Sequence, residues 1–458
     1  MKKSVSLLCC CFIGLLVVVP SVRLLAMGIT GFTDAFMSPN MGRILLNTLT
    51  ISILSLLVGG MYLFAAYRAI GAFENTKIRS LLVLVFSLPA IIPVSAYALT
   101  LIKWLPIETL TQSSFLLQII AAAEAGLRFS AAFVIGALFM KRNSRKAAVR
   151  PVLWFAGIWL LKIFMTDRTF LNDFSNPLTY EHLDTYSTAS YRSGMMQGDF
   201  TGYAVRYVTG LLLQLLPAVA GCLLLAALSR KRLQTDNSSQ QERIWTVWAA
   251  VPAALLMGIL ITCGKGNPGL TQEMVGKSYM NGVILASITS LIVVGLGLLL
   301  AVAAGKMDIW GICIVSAVYF LSDDLLGPYL IVKDMGLMNT FPGVVLQSLH
   351  WIVPVAFIGM MILKEQFSVQ KLMAAGAAGF GIAFAWFWGD SAAPNVVLNR
   401  REAYPVSVLI RQMSSAASAE QVSLLLYILI PMIVAGAGII CGGILYQREK
   451  GSHHDIGA

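Results

Sequence analysis

The chain has 458 residues, of which 57% are hydrophobic and only 12% charged, with 33 Lys and Arg against 22 Asp and Glu for a net charge of +11. Soluble domains carry about twice that charged fraction, and here apolar runs of roughly 18–25 residues recur from end to end, which excludes a compact soluble fold. In lipid such runs must be helices, because only a helix satisfies its backbone polar groups within one segment; the expected class is an all-α polytopic membrane protein.

The first run, about residues 6–27, follows Lys2-Lys3. It starts like a secretory signal peptide, but it continues to Met27, long enough to span, and no small-x-small cleavage site precedes a soluble domain. It is read as a retained first helix. Spans are then expected near 44–67, 80–102, 114–138, 151–166 and 204–229, the one at 151–166 being short and leading into a polar stretch. Leu233–Glu242 is polar, lacks apolar periodicity and lies between two basic clusters, which marks a linker. Six more spans follow near 244–264, 279–304, 308–329, 341–362, 372–388 and 420–446. The organisation is therefore twelve spans in two halves, 1–232 and 243–458, joined by 233–242. Each half places its longest polar segment between its fifth and sixth spans, at 167–203 and 389–419.

Basic residues set the orientation. Lys2, Lys3, Arg68, Lys77, Arg79, Lys141, Arg142, Arg145, Lys146, Arg150, Arg230–Arg232, Arg243, Lys306, Lys364, Lys371, Arg448 and Lys450 fall on one side, which the positive-inside rule makes cytoplasmic. Both termini then lie inside, in a bacterial plasma membrane. An even number of spans in the first half gives both halves the same orientation, a parallel repeat about an axis along the membrane normal. The same rule accounts for the +11 without a nucleic-acid partner, since no loop joins a long basic run to aromatics.

Enzyme signatures are absent, and no enzyme activity is expected. There is no Gly-x-x-x-x-Gly-Lys-Ser/Thr phosphate loop and no Gly-x-Ser-x-Gly turn. The seven cysteines, among them Cys9-Cys10-Cys11, show no metal or disulfide spacing and read as small hydrophobes, and the four histidines form no metal motif. No cofactor is expected.

Several segments carry a pattern. Asn176-Pro177-Leu178-Thr179-Tyr180-Glu181 is followed by Asp184, Tyr191-Arg192-Ser193-Gly194 and Gly198-Asp199-Phe200, and the next helix ends in Arg230-Lys231-Arg232. This resembles the extracellular loop of one permease of oligosaccharide-importing ABC transporters, the aldouronate/complex-carbohydrate group. Leu46-Asn47-Thr48-Leu49 resembles the Asn-Thr-Leu that opens the permease core. Phe320–Asp324, Pro328-Tyr329-Leu330 and Gly336–Thr340 are similar to the partner permease, as are Trp386, Trp388, Gly389-Asp390, Tyr404-Pro405 and Leu409–Gln412. The resemblance implies two permease subunits fused in tandem, with a type I importer-like fold. It also implies a sugar substrate, an extracellular solute-binding lipoprotein that docks on 167–203 and 389–419, and separate ATP-binding subunits.

One departure bears on the drive. Permeases of this kind carry a Glu-Ala-Ala cytoplasmic loop whose short helix docks on the ATPase. The corresponding positions hold only Lys141–Arg150 and Lys364–Lys371, both without the motif and too short for that helix. The basic residues there, Lys141, Arg142, Arg145, Lys146, Lys364 and Lys371, are the expected contacts toward an ATPase. The missing loops equally suit a permease-like sensor, scaffold or assembly factor without ATPase coupling.

Charged residues inside spans are candidate functional groups, because burying them is costly unless they are paired. Glu124 and Arg128 share a helix face, either as a structural ion pair or as a polar patch that meets sugar hydroxyls. Asp323 and Asp324 replace a glycine pair of the resembled pattern; they suit a cation or proton site of an ion-coupled transporter, or a position near the outer mouth. Lys162 reads as a snorkelling side chain. Tyr180, Trp386, Trp388 and Asp390 are further substrate-binding candidates, with the interfacial aromatic belt as the alternative reading of the aromatics.

Overall fold

A computed structural model describes residues 3–31, 40–104, 114–139, 145–164, 183–230, 243–263, 272–323, 325–363, 367–414 and 424–454. Helices joined by short connections account for all of it, with no strand among the described residues. Among the described residues, eight helices are long and apolar enough to cross a membrane, or up to ten if each of two bent helix pairs forms one span. The chain is an all-α, multi-pass membrane protein. Its outer faces agree: Leu216 is 82% and Leu8 72% exposed, tolerable against lipid tails and not against water.

The first spans are α1 (Lys3–Gly28) and α2 (Met41–Gly71). The span expected at 80–102 is two helices, α3 (Thr76–Ile91) and α4 (Val94–Trp104). Pro93 lacks an N–H and bars Ile92 from helical geometry, so Ile92 is extended at φ −69°, ψ 129°. Then come α5 (Ser114–Phe133), which tightens into a 3₁₀ turn at Val134–Phe139, and α6 (Arg145–Leu161), whose apolar part is short. A short α7 (Tyr186–Tyr191) runs into a π turn at Arg192–Met196 ahead of the long α8 (Phe200–Arg230).

The remaining helices are α9 (Ala250–Cys263, after a 3₁₀ turn at Arg243–Ala249) and α10 (Gln272–Gly305). α11 (Ile309–Leu321) and α12 (Leu326–Asp334) meet at 78°, and α13 (Phe341–Gln347) meets the segment containing α14 (Ile352–Leu363) at 42°. α15 (Val369–Gly389), α16 (Ala392–Val397), α17 (Val406–Ser414) and α18 (Leu424–His454) complete the bundle.

Packing interleaves early and late helices around a shared core. α2 packs on α5 and α6, and α6 on α8; α10 packs on α14 and α15, and α15 on α18. α1 lies against α8, α10, α11 and α12, while α9 and its leading turn lie against α2, α3 and α4. Small residues permit the closest crossings, as is usual between helices in lipid. A Cβ on Gly126 of α5 would sit 2.4 Å from the Ser55 carbonyl oxygen of α2, and one on Gly221 of α8 2.5 Å from the Gly157 carbonyl oxygen of α6.

Candidate translocation pathway

Two chain segments at one end of the bundle build a mouth. In the first, Thr185 and Thr188 form a capping box that starts α7. Asp184 accepts from Thr188 Oγ1 (2.9 Å) and Arg192 Nη2 (2.5 Å), so the arginine is held beside the π turn. Asn47 and Thr48 of α2 fasten the segment: Asn47 Nδ2 donates to the Asp184 carbonyl (3.3 Å), and the Tyr186 N–H donates to Thr48 Oγ1 (2.8 Å). Burial pushes the Tyr186 phenol above its ordinary value, and the hydroxyl donates to the Arg206 carbonyl. In the second segment, Asp390 caps α16 through the Ala392 N–H (2.8 Å), and Ser407 Oγ donates to the Asp390 carbonyl (2.7 Å). Asn281 of α10 donates Nδ2 to the Glu402 carbonyl (2.8 Å), much as Asn47 does for the other segment.

Between the two segments lies a cavity of about 430 Å³ lined by Tyr191, Arg192, Phe200, Tyr329, Asn395 and Arg411, with further walls from Thr188 and the methionines of the π turn. Among the described residues, the lining holds two guanidinium groups and no carboxylate. Such a surface suits a polyhydroxylated or anionic solute, or an acidic face of a partner.

From this cavity α8 and α12 run inward to the break between α11 and α12. A broken helix leaves carbonyls at one end and N–H groups at the other without partners, and in lipid they must be satisfied from within the protein. Asp323, 1% exposed, accepts from the N–H groups of Gly327 (2.6 Å) and Leu325 (3.3 Å) and from the Tyr203 hydroxyl (2.8 Å). Its own N–H donates to Ser21 Oγ of α1 (2.8 Å). On the other side of the break, Lys162 Nζ donates to the Ser322 carbonyl (2.7 Å) and the Tyr207 hydroxyl to that of Leu321 (2.6 Å). Gln347 Nε2 donates to the Leu325 carbonyl (2.6 Å). A carboxylate thus stands at the N-terminus of α12 and an ammonium at the C-terminus of α11, each the sign that the helix dipole favours.

A second polar group lies on α5. Arg128 is buried and Glu124 half-buried, 3.9 Å apart, and the Arg128 guanidinium lies 4.0 Å from the centre of the Trp386 ring. Trp351 and Phe129 complete an aromatic cluster, with ring centres 4.8 and 5.3 Å from Trp386. Trp388 is turned elsewhere, its Nε1 donating to the Tyr427 carbonyl (2.8 Å).

Several expected roles change. Lys162 does not snorkel: it is 5% exposed and fixed to the helix break, because α11 unwinds against it. Trp386 and Trp388 belong to no surface belt, since both are buried between helices. Asp323 is deep in the protein and not at an exposed mouth, whereas Asp390 is a capping residue at the mouth segment. Lys371 is buried, at 6% exposure, and so is not presented to a partner. Arg145 and Lys146 open α6, with side chains outside the described set; Lys141, Arg142, Lys364, Tyr180 and Asp324 lie outside the described residues altogether. Tyr203, Tyr207 and Trp351 were not anticipated. Tyr203 and Tyr207, one helical turn apart on an apolar helix, are the sequence signal that could have found the first two.

No family model, curated protein or solved structure matches this chain. Function is therefore read from the site.

Proposed function

We propose that this multi-pass membrane protein is the permease of a carbohydrate importer of the ABC type, two permease-like halves in one chain that move solute by alternating access. The observation that carries the reading is the mouth cavity built jointly by 183–200 and 390–414 over a broken span. Phe200 and Tyr329 line the cavity, Tyr203 lies one turn further along α8, and α12, which bears Tyr329, is capped by Asp323. Broken helices at the centre of a bundle are where transporters place their solute contacts.

Repeated contacts support two equivalent halves. α2 with α5 and α6 corresponds to α10 with α14 and α15, and the exchanged packing of α1 corresponds to that of α9. The hydrogen bonds repeat too. Tyr203 of α8 reaches Asp323 at the α11/α12 break, and Tyr427 of α18 reaches Ser95 (3.0 Å) beside the α3/α4 break. In this reading the mouth faces outward, receives a solute-binding lipoprotein, and both termini are cytoplasmic.

Purification of the tagged chain from its native membrane should recover an ATP-hydrolysing subunit and a solute-binding lipoprotein. Recovery of neither overturns the importer. One observation favours a second reading, transport without ATPase coupling: only residues 140–144 separate Phe139 from Arg145, and only 364–368 separate Leu363 from Val369. Solute uptake by proteoliposomes of the chain alone, driven by an ion gradient, would establish it.

A further inference from the structure

The mouth cavity, about 430 Å³, has the size of a small-molecule site rather than of a protein-docking face. Its polar groups enter from four elements: Tyr191 and Arg192 from α7 and the π turn, Tyr329 from α12, Asn395 from α16 and Arg411 from α17. Among the described residues, the Tyr191 and Tyr329 hydroxyls and the Asn395 side-chain amide make no hydrogen bond, although all three residues are half-buried. Thr188 of the same lining is different, since its hydroxyl donates to Asp184 (2.9 Å). Half-buried polar groups that face a common cavity without partners are the orienting groups expected of a ligand site.

Charge narrows the occupant. Arg192 and Arg411 are the charged groups of the described lining. Two carboxylates of the adjoining segment are engaged within it: Asp184 holds Arg192 (2.5 Å), and Asp199 accepts from the Gly202 N–H at the start of α8 (2.8 Å). Lys333 adds an ammonium 5.9 Å from the centre of the Phe200 ring. A guanidinium pairs with an oxyanion through parallel N–H donors, so an anion is preferred to a neutral solute. A carboxylate offers two oxygens in one plane, whereas a phosphate monoester offers three around phosphorus. Donors that enter from four elements suit the second. Phe200 and Tyr329, with ring centres 6.1 Å apart, give the organic part of the ester an apolar contact.

We propose that the mouth cavity binds a small phosphate monoester, its phosphate held by Arg192 and Arg411 and its organic part by Tyr191, Tyr329, Asn395 and Phe200. The inference rests on the permease reading, for which it names the class of solute that the mouth admits.

The test is titration calorimetry of the full chain in nanodiscs of phosphatidylcholine, a lipid without net charge. Glucose 6-phosphate and ribose 5-phosphate are the probes, compared with glucose and glucuronate. The esters are expected to bind, with glucuronate about tenfold and glucose about a hundredfold weaker, and ester binding should weaken as salt rises. Arg192→Gln and Arg411→Gln should each lower ester affinity about tenfold, and Tyr329→Phe, which keeps the ring, about threefold. Arg448→Gln, which removes an exposed cation near the end of α18, should leave it unchanged. If Arg192→Gln, which also loses the bond to Asp184, does not give monodisperse protein, Arg411→Gln and Tyr329→Phe carry the comparison. Glucose or glucuronate that binds as tightly as the esters overturns the phosphate assignment. Ester binding that is indifferent to these substitutions overturns the site, and a chain that binds neither ester overturns the proposal. None of these results touches the permease reading, which stands or falls on the co-purification of its partners.

Discussion

The carboxylate at the α11/α12 break gives the sharpest test of how this bundle is held. Asp323 accepts three hydrogen bonds, from the Tyr203 hydroxyl at 2.8 Å and the N–H groups of Gly327 and Leu325 at 2.6 and 3.3 Å. A hydrogen bond to a charged group contributes about 1.5–3 kcal/mol, and the bond to Leu325 is long enough to fall below that. Asp323→Ala removes all three, strands the buried N–H of Gly327 and the part-buried N–H of Leu325, and deprives Lys162 of a nearby opposite charge. The expected cost is about 4–5 kcal/mol, in line with breaking one partner out of a buried charged pair. Tyr203→Phe removes one bond and should cost about 1.5–2 kcal/mol. Once Asp323 is gone the hydroxyl has lost its acceptor, so Tyr203→Phe should add little on the Asp323→Ala background. The coupling in the double-mutant cycle is then about 1.5 kcal/mol. Denaturant unfolding in one detergent, followed by tryptophan fluorescence and circular dichroism, measures all four corners. An ordinary hydrogen bond between helices in lipid averages about 0.6 kcal/mol. A coupling at or below that value would refute the picture of a carboxylate that joins α8 to the helix break.

Other predictions address the packing and the mouth. Gly126→Ala places a methyl against the Ser55 carbonyl of α2 and should lower stability by about 2–3 kcal/mol, read by the same unfolding assay; a neutral result would mean that α2 and α5 do not cross there. Cys222 of α8 and Cys313 of α11 have sulfur atoms 4.0 Å apart, so mild oxidation should join them and the product should be detected by peptide mapping. Absence of that cross-link, with the other cysteines substituted, would contradict the contact between α8 and α11. On the permease reading, Arg411→Glu puts a carboxylate into a lining that has none among the described residues, and should lower solute uptake about tenfold while leaving the helical circular dichroism unchanged.

The membrane class was legible because it follows from composition alone, whereas the expected linker at 233–242 lies outside the described residues. Two features escaped. Hydropathy runs straight through Ile92-Pro93, so the interruption between α3 and α4 is hidden in an apolar average, although Pro93 itself is the cause. The exchange of α1 and α9 between neighbourhoods is a tertiary choice that apolar periodicity does not encode, since lipid-facing and helix-facing surfaces are equally hydrophobic. The site divides the same way. Glu124 and Arg128 share a face because they are four residues apart on a helix. That Trp386 lies under the guanidinium, and that Lys162 closes a distant helix break, depends on chain segments far apart in sequence. Snorkelling and the aromatic belt were reasonable readings of Lys162 and Trp386 only while their surroundings were taken to be lipid and water.

On the permease reading, the short connections bear on how a drive would reach the solute. Residues 140–144 join the end of the α5 segment to α6, and 364–368 join α14 to α15. A segment of that length makes little more than one helical turn, so it cannot hold a separate docking helix. Yet these two connections tie together four helices that meet at one aromatic cluster: Phe129 of α5 contacts Trp159 of α6 and Trp386 of α15, and Trp351 leads directly into α14. A force applied at either connection therefore acts on helices that carry Arg128 and its neighbouring rings. On the permease reading proposed above, a partner or an ion gradient that shifts α5 against α15 would act where Arg128 contacts Trp386, without a docking helix in either connection.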